Sequence, residues 1–185
     1  FGKFKHADWP GKVQSETELQ ALDVQERAAL AAMPTLPSFD NYGGWADGPT
    51  LEATGRFRTQ RLNDRWWLVT PEGHLFFSLG VNCVGSSMDT FITGREDWFE
   101  WVPEDGGDFS EFFGTVSGTH SMAGPIGGRG RCLNFHGVNL MRKYGSAWPE
   151  AASERAVQRL RAWGFNTIGN WSSDRVRELG ILSFT

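Results

Sequence analysis

Gly55 to Asn82 reads GRFRTQRLNDRWWLVTPEGHLFFSLGVN, and this stretch decides the fold. The alternation in Arg56-Phe57-Arg58-Thr59 suits a half-buried strand. Asn63-Asp64 makes a tight turn, and Trp66-Trp67-Leu68-Val69 forms a second strand. Pro71-Glu72-Gly73 turns the chain again. A third strand is expected from His74 to Cys83. Its segment Leu75 to Val81 is apolar on both faces, as strands covered on both sides in parallel sheets are. The meander is thus expected to pass from an antiparallel edge into a buried sheet.

C-terminal to the meander, residues 85–131 read as a long irregular excursion. Trp98, Phe99, Trp101, Phe109, Phe112 and Phe113 alternate there with acids. The Gly-rich run Gly124 to Gly130 lacks the GxxxxGK[ST] spacing of a phosphate cradle. Glu104 to Asp108 lacks the spacing of an EF-hand, so a solvated acidic loop is expected. A helix follows from Asn134 to Tyr144, ended by Gly145. Another runs from Pro149 to Trp163, with Ala156, Leu160 and Trp163 as its apolar stripe and Gly164 as its cap. Then come a short strand at Phe165 to Asn170, a helix at Asp174 to Leu179, and a strand from Ile181. Strand-helix alternation of this kind implies an α/β fold with a parallel sheet.

N-terminal to the meander, Phe1 to Val13 (FGKFKHADWPGKV) is an extended lead-in. Ser15 to Met33 reads as a helix: Ser15 and Glu18 form a capping box, and Leu19, Leu22, Ala29 and Leu30 share a face. Pro34 to Thr50 is a Pro/Gly/Asn/Asp-rich connection expected to lie against a surface, with Trp45 as an anchor. These pieces divide the chain into a lead-in over 1–53 and a meander with βα units over 54–185.

The chain has 185 residues with nine Trp and fourteen Phe. Such aromatics fill cores and also stack on sugar rings. A net charge of −4 without a basic run argues against nucleic acid. No apolar run suits a membrane span or a signal peptide. Phe1 suggests a start after processing or inside a longer protein. Cys83 and Cys132 form no CxxC pair and read as free buried thiols. No HxH or HExxH spacing is present, so neither a metal nor a cofactor is expected.

Phe1 to Val13, Thr54 to Gln60 (TGRFRTQ), Trp66 to Gly80 (WWLVTPEGHLFFSLG) and Trp163 to Trp171 (WGFNTIGNW) together resemble the β-agarases of glycoside hydrolase family 50. The resemblance implies the N-terminal part of a (β/α)8 TIM-barrel catalytic domain, incomplete here. Barrel strands would lie at about Leu75 to Cys83, Asn166 to Asn170 and Ile181 to Thr185. It also implies a retaining glycosidase acting on agarose-type galactan, secreted or periplasmic, with the remainder of the barrel as a partner. The family's acid/base Glu follows an Asn, and no Asn-Glu pair occurs here. No catalytic residue is therefore assigned, and the segment alone is expected to be inactive. Substrate-binding candidates sit where barrel enzymes bind, after the strands: Asn82, Asn170, Trp171 and Ser172. His120 and His136 flank the Gly-rich loop and join them. The alternatives are that the asparagines cap turns, that Trp171 packs under a helix, and that the whole is a non-catalytic carbohydrate-binding or interaction module.

Overall fold

The computed structural model describes residues 2–33, 38–85, 87–117 and 127–185. Strands β1 (Arg58–Leu62) and β2 (Arg65–Val69) are joined by Asn63 and Asp64. Both take left-handed backbone, φ 48° and 62°. That is the two-residue hairpin turn whose twist matches its strands. β3 (Leu75–Phe76) pairs antiparallel with β2, Leu68 opposite Phe76. The expected meander is present.

The expected third strand is not one strand. After β3 the chain leaves the meander, and β4 (Gly80–Val81) pairs in parallel with β8 (Thr167–Ile168). The physical agent of the switch is Asn166. Its Nδ2 donates to Phe77 O at 2.9 Å, and its Oδ1 accepts from Leu79 N at 2.9 Å. One side-chain amide thus satisfies the backbone exactly where neither sheet does. Nor is the strand covered on both faces: Phe77 is 75% exposed and Leu79 47%.

The chain divides into two compact units, Phe1–Gln25 with Ser86–Ala152, and Glu26–Gly85 with Ser153–Thr185. The second holds the meander and a parallel sheet of order β4-β8-β9, β9 being Ser183–Phe184. Its core is Val157, Leu160, Ile168 and Val176, with Val81 packed against it. α3 (Trp148–Ala162) supplies Val157 and Leu160, and α4 (Asp174–Glu178) supplies Val176. The expected stripe on α3 holds at Leu160 but not at Trp163, which is exposed; Ser153 and Val157 are the other buried positions. Gly164 caps the helix at φ 83°, and Phe165 N returns to Leu160 O at 2.9 Å.

The connection before the meander is pinned to it. Trp45 N donates to Leu75 O at 2.8 Å, and Leu51 N to Gly73 O at 2.8 Å. α1 (Glu16–Ala32) starts with Glu18 N donating to Ser15 Oγ at 3.1 Å, as its capping box predicts. Its expected apolar face is not buried: Leu22 and Ala29 are exposed, and the buried residue of α1 is Asp23.

The first unit corrects the expectation of an irregular excursion. β5 (Thr90–Phe91), β7 (Arg129–Leu133) and β6 (Phe113–Ser117) form an antiparallel sheet in that order. Ile92, Phe112, Leu133, Phe135 and Val138 make its core, with Phe99, Trp101 and Phe109 packed against it. Two-residue β5 is too short for a period-2 signal, and Gly114 and Gly130 blur the others. α2 (Phe135–Tyr144) is capped by Asn134, whose Oδ1 accepts from Gly137 N at 2.8 Å. Cys132 is buried as expected, but Cys83 is exposed.

Candidate functional site

β4 and β8 are parallel, so the residues following them emerge at the same end of the sheet. The two strand ends are stitched together by backbone and by one hydroxyl. Gly169 N donates to Val81 O at 2.8 Å and Cys83 N to Asn170 O at 2.9 Å. Ser172 Oγ donates to Gly169 O at 2.8 Å and accepts from Val84 N at 3.1 Å.

Cys83 and Trp171 both hold left-handed backbone, φ 59° and 58°. Among the described residues the remaining non-glycine positions of this kind are the hairpin pair Asn63 and Asp64. Left-handed backbone at such residues costs of order 1–3 kcal/mol and concentrates at ligand sites. Trp171 is thereby thrown outward, 82% exposed. It packs under no helix.

The candidate residues separate by what they bond. Ser172 is 8% exposed, and its hydroxyl is used in both directions on backbone. Its work is to fix the loop. Asn82, Asn170 and Trp171 make no side-chain hydrogen bond or ring contact among the described residues. Asn166, four positions before Asn170, shows the contrast. Its amide reaches Gly43 O at 3.0 Å, Phe77 O and Leu79 N, and accepts from Thr167 Oγ1 at 3.0 Å. The asparagine at the start of β8 is structural, and those at the strand ends have their amides open. His136 is exposed in the first turn of α2, in the other unit. His120 and residues 124–126 of the Gly-rich run lie outside the described residues.

No Asp or Glu occurs in Asn82–Gly85 or Gly169–Ser173. The strand ends can bind hydroxyls and stack on a ring, but they carry no acid or base.

A second cluster was hidden in the sequence. The Asp40 side chain, 2% exposed, accepts at Oδ2 from Thr70 Oγ1 (2.6 Å) and His74 Nδ1 (2.9 Å). At Oδ1 it accepts from Gly44 N (2.7 Å) and Tyr42 N (2.9 Å). Burial pushes its carboxyl up, but the donors from Thr70, Gly44, His74 and Tyr42 outweigh it and hold it below the usual range. Glu72 lies near enough for Asp40, Glu72 and His74 to surround a cation. The donor set speaks against one, because hydrogen bonds already occupy both Asp40 oxygens, and Glu72 accepts from Asn41 Nδ2 at 2.5 Å. The cluster is a latch for the connecting loop. A cavity of about 510 Å³ adjoins it, lined by Asp40, Tyr42, Phe165, Asn166 and Ile181. Asn166 and Ile181 precede β8 and β9, so it lies at the opposite strand ends from Asn170 and Trp171.

No family model matches the chain. β-Agarase B of Vibrio sp. (strain JT0107) is 34% identical over 193 aligned residues, covering 93% of this chain and 20% of that protein. The solved structure of PfGH50B is 31% identical, with a TM-score of 0.86 over 99% of this chain and 28% of that one. The chain matches a segment of the glycoside hydrolase family 50 agarases. A solved exo-β-agarase is 26% identical, with a TM-score of 0.84 over 97% of this chain and 30% of its own. The chain spans about a fifth of the length of the curated relative. It shares the mixed helix and sheet content of the agarase structures. Among the described residues no helix is long and apolar enough to cross a membrane.

Proposed function

We propose that the polypeptide carrying this chain hydrolyses the β-galactosidic bonds of an agarose-type polysaccharide. In this reading residues 54–185 supply the meander and first strands of a (β/α)8 barrel, with 1–53 as a lead-in. β4, β8 and β9 would be the first three staves, and the remainder of the barrel would come from the rest of the polypeptide. The parallel register of β4, β8 and β9 supports this. So does the apolar surface left at both edges of the sheet, Phe77 and Leu79 on one side and Phe184 on the other. A polysaccharide substrate is consistent with secretion or a periplasmic location.

The observation that carries the reading is the set of open side chains Asn82, Asn170 and Trp171 at the C-terminal strand ends. Barrel enzymes bind substrate at that face. Trp171 would stack on a sugar ring, and the two carboxamides would pair with ring hydroxyls. His120 and His136, on either side of the Gly-rich loop in sequence, would reach substrate from the excursion after β4. Ser172 would act by fixing the loop beneath Trp171.

The chemistry itself would need two carboxylates. In a retaining mechanism they stand about 5–5.5 Å apart, one as nucleophile and one as acid/base. Both would lie outside this segment. The test is release of reducing ends from agarose by the complete polypeptide, by this chain alone, and by the complete polypeptide with Trp171→Ala. Turnover by the complete form, none by the segment, and about tenfold lower kcat/KM in the variant are expected; tenfold is about 1.4 kcal/mol of lost binding. No turnover by the complete polypeptide on agarose sinks the reading. Retention on agarose without hydrolysis would instead favour a binding module, which the lack of carboxylates at the strand ends also supports. Turnover of another galactan alone would move the substrate but keep the class.

A further inference from the structure

Gly169 is buried at the end of β8, between Ile168 and Asn170. Many glycines of this chain are required by left-handed backbone, but Gly169 is not among them. Its amide and carbonyl are in regular use, the N–H on Val81 O at 2.8 Å and the carbonyl on Ser172 Oγ at 2.8 Å. Backbone conformation therefore gives no reason for a glycine. The space does. A Cβ at this position would lie 2.1 Å from Asn82 Oδ1, 3.1 Å from Asn82 Cγ and 3.1 Å from the backbone oxygen of Val81, so the severe clash is with the Asn82 side chain. The Asn82 carboxamide occupies the volume that any other side chain at 169 would claim.

We propose that Gly169 is a positioning residue: its missing side chain seats the Asn82 carboxamide across the end of β8, facing a pair of pyranose hydroxyls. The inference rests on the sugar-binding reading of the strand ends. The seat is steric. Asn82 makes no hydrogen bond among the described residues, so its place is set by contact with Gly169 while its donor and acceptor stay open. A carboxamide offers one donor and one acceptor side by side, which matches two adjacent hydroxyls. A group fixed before binding loses less rotamer freedom on contact, so the seat raises affinity without adding a contact. Cys83 N on Asn170 O ties the two loops, so a shift of Asn82 is not shared out by sliding the strand ends.

The experiment uses the complete polypeptide and agarose oligosaccharides, reading dissociation constants and thermal midpoints. Gly169→Ala is expected to weaken binding about three- to tenfold, the share of one or two neutral hydrogen bonds. Asn82→Ala is expected to weaken it by a similar factor. The double variant N82A/G169A is expected to bind like Asn82→Ala alone and to recover most of any fall in melting temperature, because the 2.1 Å clash is then gone and only the 3.1 Å contact with Val81 O remains. If Gly169→Ala costs the same factor with and without Asn82, the seat is overturned. It is also overturned if Asn82→Ala weakens binding and Gly169→Ala does not. Trp171→Ala serves as the independent control. If it and Asn82→Ala both leave binding unchanged, the sugar-site reading itself fails, and the seat with it.

Discussion

Asp40 is held by four donors on its two oxygens, from Thr70, His74, Tyr42 and Gly44. A carboxylate so held is stabilised in its charged form, which is why its pKa falls although burial works the other way. The sign for stability follows. The folded pKa lies below the unfolded one, so the contribution is present above the ordinary aspartate range and lost as pH falls through the folded value. Asp40→Asn is expected to cost about 2 kcal/mol at pH 7, since an amide must present a donor where an acceptor is needed. That gap should narrow on acidification below about pH 4. Melting temperatures of both forms between pH 7 and pH 3 measure it, and a gap that stays constant would show that the charge is not what holds the loop. Only part of this latch is legible in the sequence. An Asp before Asn-Tyr-Gly-Gly suggests a side chain turned back on its own loop. Thr70 and His74 lie 30 and 34 positions away, and no local pattern announces them. Asn166 and Asn170 make the same point, since the same residue type is bonded at every polar atom at one end of β8 and open at the other.

At the scale of elements, turns and caps are the most legible parts. Asn63-Asp64, the Ser15 box and Gly164 all occur where the residue types require them, because each is settled by neighbours within a few positions. Gly73 belongs here too. It stands at φ 93°, and a Cβ on it would lie 2.2 Å from Leu51 O. Gly73→Ala therefore combines left-handed strain with a clash against backbone. It is expected to lower stability by about 2–3 kcal/mol. Denaturant melts of the variant check this, and a loss under about 0.5 kcal/mol would place it with ordinary surface changes. Strand extents are less legible. The run from Leu75 to Val81 is near-continuously apolar, yet it serves two sheets. The division comes from Asn166, some ninety positions on, which claims the backbone of Phe77 and Leu79. The β5-β7-β6 sheet is opaque for another reason. Its strands are short, and its pairing joins Phe91 to Cys132 across a long excursion.

At the scale of the molecule, β4 and β9 each have one partner, β8, among the described residues. Phe184 is in register with buried Ile168 but is itself 59% exposed. Phe77 and Leu79 alternate with Ser78 and Gly80 along the other edge and are also exposed. Open parallel edges bearing apolar side chains invite pairing. The chain expressed by itself is expected to associate at micromolar concentration, as light scattering after size exclusion would detect. A monodisperse monomer with one cooperative melt would contradict this. The sequence by itself determined the meander, the helices, the parallel βα order and the resemblance to the agarases. Each of these rests on residue types at fixed short spacing, and local sterics and periodicity act at that range. Only the tertiary structure decided where the apolar strand divides, that Asp40 is latched, and which candidates are open. It bonded Ser172 into the loop, left Asn82, Asn170 and Trp171 unclaimed, and filled the space at Gly169 with Asn82. Those outcomes depend on partners far away in sequence, and a hydrogen bond or a clash exists only once the chain has brought them together.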